Sequence, residues 1–183
     1  VASYSVLKIL PAQAADVLFS DGITVDSTLD TIDANIGNGV CDDGSGNCTL
    51  RAAIQEANSN ADTSVIKFNI AEVADFTNGG QSGFTITPTS ALPDITQTAT
   101  IDGYTQPGAS ANTTVSPAPL DTVILIEING VSAGSPGVNG LTVRANNTII
   151  QGLSVNRFSQ DGIIVAADNV KVWGNYLGTD PTG

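Results

Sequence analysis

Two cysteines, eighteen acidic residues and no histidine limit the chemistry open to this 183-residue chain. Without imidazole there is no Ser-His-Asp or Cys-His nucleophile and no histidine-ligated metal. Two cysteines also exclude four-cysteine zinc sites and iron–sulfur clusters. What remains is carboxylate chemistry. A glycosidase needs two carboxylates about 5–5.5 Å or about 6.5–9.5 Å apart, one on each side of the scissile bond. The acids of the C-terminal half are Asp94, Asp102, Asp121, Glu127, Asp161, Asp168 and Asp180. On the repeat set out below, Asp161 aligns with Asn139, Asp168 with Asn146, and Glu127 with Ile149 and then Lys171. No column then carries carboxylates on neighbouring repeats. A lyase would need clustered acids beside a base, and Arg144 and Arg157, the arginines of this half, stand apart from paired acids. No catalytic residue is assigned. A lyase or glycosidase whose catalytic residues lie outside this segment is the runner-up.

A second chemistry is metal binding. Residues 16–43 hold seven aspartates and no lysine or arginine. Asp33, Asn35 and Asp43 are candidate ligands for calcium, a hard cation that takes carboxylate and carbonyl oxygens. The spacing is not that of an EF-hand, because Gly37 stands where an acid or amide is needed and no glutamate closes the loop. No other cofactor is expected. Downstream, Cys41 and Cys48 enclose six residues, two of them glycine. That spacing lets the chain turn back within disulfide reach.

These groups need elements to hold them. Leu50, Ala53, Ile54 and Ala57 recur at helical spacing, with Thr49 as N-cap and Asn58-Ser-Asn60 as stop. Such a short helix must lie against an apolar partner. Arg51 on it is expected to pair with nearby aspartates, or else to bind a ligand. From Val65 on, short β-branched strands alternate with polar turns, and the chain repeats. Gly130, Gly152 and Gly174 are evenly spaced, and Gly140 and Gly162 stand at the same interval. The period is about 22 residues, within the range of solenoid repeats. Ile101-Asp-Gly103 reads as an earlier copy, its distance to Gly130 enlarged by a loop from Pro107 to Pro119. Phe84-Thr-Ile86 opens the series. Leucine-rich spacing is absent, so one turn of a parallel β-helix fits the period better. Val143 and Val165 should then share one inward column, and Ile150 and Val172 another. Trp173 is expected to pack at a corner; the alternative is an aromatic platform for sugar, with Tyr176.

Cys48-Thr-Leu-Arg-Ala-Ala-Ile54, followed by Glu56-Ala-Asn58, resembles the CSLREAI domain of exported bacterial and archaeal proteins. Asn175-Tyr-Leu-Gly-Thr-Asp-Pro-Thr-Gly183 looks like the rungs that often accompany it. The resemblance implies a right-handed parallel β-helix with an N-terminal helix-containing cap, exported or on the cell surface, and no single activity. Thr49 stands for the family's serine, and Ala52 for its glutamate, which leaves Thr49 to cap alone. The expected division is an arm or signal-peptide remnant over 1–20, a cap over 21–62 and the β-helix over 63–183.

Charge and length narrow the partners. A net charge of −12 argues against nucleic acid and anionic membrane surfaces. No apolar run approaches the roughly 20 residues of a membrane span. Ala12-Gln13-Ala14 fits a signal-peptidase site, whereas Val6, Leu7, Ile9 and Leu10 could instead add a strand to a neighbouring copy. The sequence ends inside a rung, as a fragment of a longer protein would, or one whose end another molecule covers. Sequons at Asn47, Asn112 and Asn146 matter only in a host that glycosylates them. The function expected is a secreted or cell-surface structural or adhesive protein. Its partner would be itself, assembled head-to-tail into a filament, or an extracellular glycan or surface.

Overall fold

A computed structural model describes residues 22–182. The candidate arm residues Val6, Leu7, Ile9 and Leu10 lie outside the described residues. The chain is predominantly parallel sheet with little helix. Its strands are β1 (Ile23–Val25), β2 (Ser64–Phe68), β3 (Phe76–Asn78), β4 (Gln81–Ile86), β5 (Ala99–Asp102), β6 (Ile126–Asn129), β7 (Leu141–Val143), β8 (Ile149–Gln151), β9 (Leu153–Asn156), β10 (Ile163–Val165), β11 (Lys171–Trp173) and β12 (Tyr176–Leu177). The one α-helix among the described residues, α1, spans Leu50–Ser59.

Three sheets form, in the orders β1-β2-β5-β8-β11, β12-β9-β6-β4-β3 and β10-β7. Every pairing of these strands is parallel except the β3–β4 hairpin. The first and second sheets are built by strands that alternate along the chain, so successive passages of the chain extend both. Inward columns follow. Ile23, Ile66, Ile101, Ile150 and Val172 stack across the first sheet. Phe84, Ile126 and Leu153 stack across the second, and Val143 pairs with Val165 in the third. Ile101, Ile126, Val143 and Ile150 have no exposed surface, whereas Val165 and Val172, on the last strands of their sheets, are 48% and 37% exposed. Ile and Val suit this setting because their branched side chains pack against similar neighbours above and below.

The register corrects the expected repeat at two points. Gly130 does not share a column with Gly152: β6 pairs with β9, placing Ile128 against Val155 rather than Ile150. The glycine column is Gly103, Gly152 and Gly174, because Asp102 pairs with Gln151 and Gln151 with Trp173. Ile101 to Ile150 is therefore one long repeat carrying an inserted loop. Glu127 likewise lies between Thr85 and Ser154, not beside Ile149 and Lys171.

Helix α1 lays its stripe, Leu50, Ala53, Ile54 and Ala57, into the core formed with Ile23, Val25, Ile66 and Phe68. Thr49 caps it alone, accepting from the Ala52 amide at 3.0 Å. Its polar residues anchor two loops, 30–42 and 89–97. Arg51 forms a bidentate pair with Asp30 at 2.9 and 3.0 Å and donates to the carbonyls of Ser90 and Ala91. Buried Glu56 accepts from the amides of Gly37 and Gly39. Asn58 donates to the Asp94 carbonyl and accepts from the Thr96 amide. Cys41 and Cys48 are disulfide-bonded, with Cα atoms 5.1 Å apart.

Candidate functional site

Strand alternation sets the site. With Ile101, Ile150 and Val172 pointing inward, Asp102, Gln151 and Trp173 point outward from the first sheet. Trp173 does not pack at a corner: it is 62% exposed. After the Gly103 corner a short 3-10 turn, capped by the Asp102 carboxylate on the Tyr104 amide, turns Tyr104 outward. The Tyr104 hydroxyl donates to the Gly174 carbonyl at 2.7 Å, holding its ring beside β11. Tyr176 follows the next corner.

The inserted loop supplies the opposite wall. Ser110 and Val123 exchange backbone hydrogen bonds at its neck. Within it, the Asp121 carboxylate accepts from the Thr113 amide at 2.7 Å and the Thr113 hydroxyl at 2.6 Å. Asn112 accepts from the Asp121 amide. Thr122 donates to the Ser110 carbonyl. The loop thereby presents Ala111, Asn112, Leu120 and Thr122 across a cleft of about 610 Å³ from Tyr104, Gln151, Trp173 and Tyr176. Leu120 is 65% exposed, so wall and floor both offer apolar surface to solvent.

Among the described residues, no aspartate, glutamate, lysine or arginine lines this cleft. Among its amides, Asn175 is engaged with the Leu153 amide and the Ile150 carbonyl, and Asn112 with its own loop. Its polar groups among the described residues are the amides of Asn112, Gln151 and Asn175 and the hydroxyls of Tyr104, Thr122 and Tyr176. It can bind a ligand by ring faces and hydrogen bonds, as apolar pockets with a few polar groups do.

The acids are employed elsewhere. A polar hollow of about 300 Å³ on the second sheet is lined by Asp75, Thr85, Glu127, Arg157 and Asp180, among others, so Arg157 stands among three acids and not apart from them as the sequence suggested. Asp75, absent from the acids weighed above, enters through the β3–β4 hairpin. Glu127 is buried and accepts from Thr85 at 2.8 Å, Asn156 at 2.8 Å and Asn129 at 3.4 Å. Asp75 holds the Thr85 amide, and Asp180 the Thr182 amide and hydroxyl. Asp161 and Asp168 stand against Asn139 and Asn146, as their alignment predicts, their backbone amides donating to the Asn139 and Asn146 side chains.

The calcium candidates Asp33, Asn35 and Asp43 lie in the segment ahead of α1, where Asp33 and Asp43 accept hydrogen bonds from their own loop. Asp33 accepts from the amides of Asn35 and Asp42. Asp43 is pushed down to about 2 by the Ser45 amide, then the Thr31 hydroxyl and the Asn47 side chain. Among the described residues, no three His, Cys, Asp or Glu side chains are placed to hold a metal ion.

Compared with protein-family models, curated proteins and solved structures, the chain matches none of them.

The loop wall should respond to acid. Hydrogen bonds, that from the Thr113 hydroxyl foremost, hold the Asp121 carboxyl below its ordinary value of 3.8. A depressed folded-state pKa contributes stability above the unfolded value and loses it as pH falls through the folded one. Amide exchange at Thr113, corrected for intrinsic rate, should accelerate below the ordinary carboxyl range while Ile150 stays protected. Unchanged protection at Thr113 down to pH 2 would show that the carboxylate does not order the loop.

Proposed function

We propose that this chain is an exported cell-surface protein that works by adhesion, with an extracellular glycan as its ligand. In this reading the three parallel sheets are the faces of a right-handed β-helix capped by the α1 region, as the CSLREAI resemblance suggests. The strong preference for right-handed parallel crossovers agrees with that handedness. The Cys41–Cys48 disulfide fits an oxidising compartment.

The observation that carries the proposal is the exposed indole of Trp173, flanked by Tyr104 and Tyr176 in an open cleft. A pyranose has an apolar face of C–H groups and an equator of hydroxyls, so aromatic faces and amides suit it together. Self-assembly through Val6, Leu7, Ile9 and Leu10 receives no support from the described residues and forms no part of this reading.

Trp173 is the sole tryptophan of the chain, so its emission reports on the cleft directly. Titration with extracellular polysaccharides should shift that emission. Binding of Trp173→Ala to the same polysaccharide, followed by calorimetry, should weaken about tenfold or more, equivalent to about 1.4 kcal/mol. Unaltered binding by the alanine variant, or no response to any glycan, would remove the proposal.

A further inference from the structure

We infer that the aromatic cleft selects neutral glycans over uronic-acid polymers, and that the Gln151 amide is its specificity-determining hydrogen-bonding group. The inference rests on the glycan-binding reading above and deepens it.

The first argument is charge. The protein carries a net charge of −12, and among the described residues no cation lines the cleft to pair with a carboxylate. Lys171 shares the outward face of β11 with Trp173, two residues away, but does not itself line the cleft. Asp102, one strand away from Gln151 in the same column, adds negative potential beside it. A uronate seated on Trp173 would lose hydration from its carboxylate and gain no partner, which is a strong penalty. A neutral hexose meets no such penalty. Selectivity of this kind comes from what the site withholds from the wrong ligand.

The second argument is the amide inventory. Asn112 and Asn175 are fixed by backbone partners, and Thr122 by the Ser110 carbonyl. Gln151 lines the cleft, and its side chain makes no hydrogen bond among the described residues. It is the register partner of Trp173, so amide and indole project from adjacent strands, roughly 4.8 Å apart. A sugar ring on the indole would bring its equatorial hydroxyls toward that amide. One group both donates and accepts, which matches a hydroxyl and leaves a carboxylate only half served.

The experiment uses the full chain and follows Trp173 emission. The probes are linear neutral hexasaccharides (glucan, mannan, galactan and xylan) and acidic ones of equal length (galacturonan and alginate). At least one neutral probe should bind at least tenfold more tightly than either acidic one, with little change between low and high salt. Gln151→Leu, similar in size, should weaken the neutral probe about tenfold while circular dichroism and thermal midpoint stay unchanged. Equal or tighter binding of an acidic probe overturns the charge selection but leaves glycan binding standing. Unchanged neutral binding by Gln151→Leu overturns the role of the amide. No response to any probe, or preference for a fluorescent fatty acid over all of them, overturns the glycan reading and this inference with it.

Discussion

Ile54→Asp should leave no soluble, folded protein. Ile54 is 1% exposed and sits in the middle of the α1 stripe, in one core with Ile23, Val25, Ile66 and Phe68. An aspartate there is either charged in an apolar setting or protonated without a partner, and both states are costly. The expected loss is about 4 kcal/mol or more, a large share of the roughly 5–15 kcal/mol that keeps a domain folded. The helix also carries Arg51, Glu56 and Asn58, so its displacement would release loops 30–42 and 89–97 together. Ile54→Val keeps the apolar contact and should cost only about 0.5–1.5 kcal/mol. Urea unfolding and size-exclusion chromatography separate the two outcomes. If the aspartate variant matched the parent, α1 would not be packed on the sheets.

Gly103→Ala should be nearly as damaging, for a reason unrelated to hydrophobicity. A Cβ at Gly103 would stand 2.0 Å from the carbonyl oxygen of Gly152 and 2.6 Å from its carbon. These are backbone atoms of the adjacent strand segment, and the Gly152 amide is itself bonded to the Gly174 carbonyl at 3.2 Å. Neither side can yield without breaking the ladder, so a loss of about 3 kcal/mol is expected. Gly162→Ala is the matched control. Its Cβ would meet the Val155 carbonyl at 3.5 Å, an ordinary contact, and the change should stay within about 1 kcal/mol. Chemical denaturation of both variants gives the comparison. Equal stability would show that the glycine column is not sterically required.

The helix, its N-cap and the pairings of Val143 with Val165 and Ile150 with Val172 were legible because each rests on local spacing. The false alignment of Gly130 with Gly152 has a physical origin. Ile128-Asn-Gly130 and Ile150-Gln-Gly152 share one grammar, an inward aliphatic residue, an outward polar one and a corner glycine. They belong to different sheets. Period alone cannot separate two faces built from the same alternation, and a loop inserted in one repeat made the wrong spacing coincide. Trp173 was recoverable in principle. Once Val172 is inward, alternation turns Trp173 outward, and the Asp102–Gln151–Trp173 column follows. The wall carrying Leu120 and Ala111 was not recoverable, since the loop has no period and its shape depends on Asp121 meeting Thr113.

Neighbours in the first sheet are separated by very different lengths of chain: Ile23 pairs with Ile66, Ile66 with Ile101, Ile101 with Ile150, and Ile150 with Val172. The step from Ile101 to Ile150 is the longest and that from Ile150 to Val172 the shortest, roughly a twofold range, and the register is the same across both. The entropic difference between closing the two is only about 0.7 kcal/mol. Inheritance can therefore treat the two parts of this molecule unequally. The stacked columns are held fixed by neighbours on both sides, whereas the segment after Tyr104 can be lengthened, shortened or exchanged at almost no thermodynamic penalty. The loop wall of the cleft is free to diversify at the rate of a surface loop, on a scaffold that changes at the rate of a core.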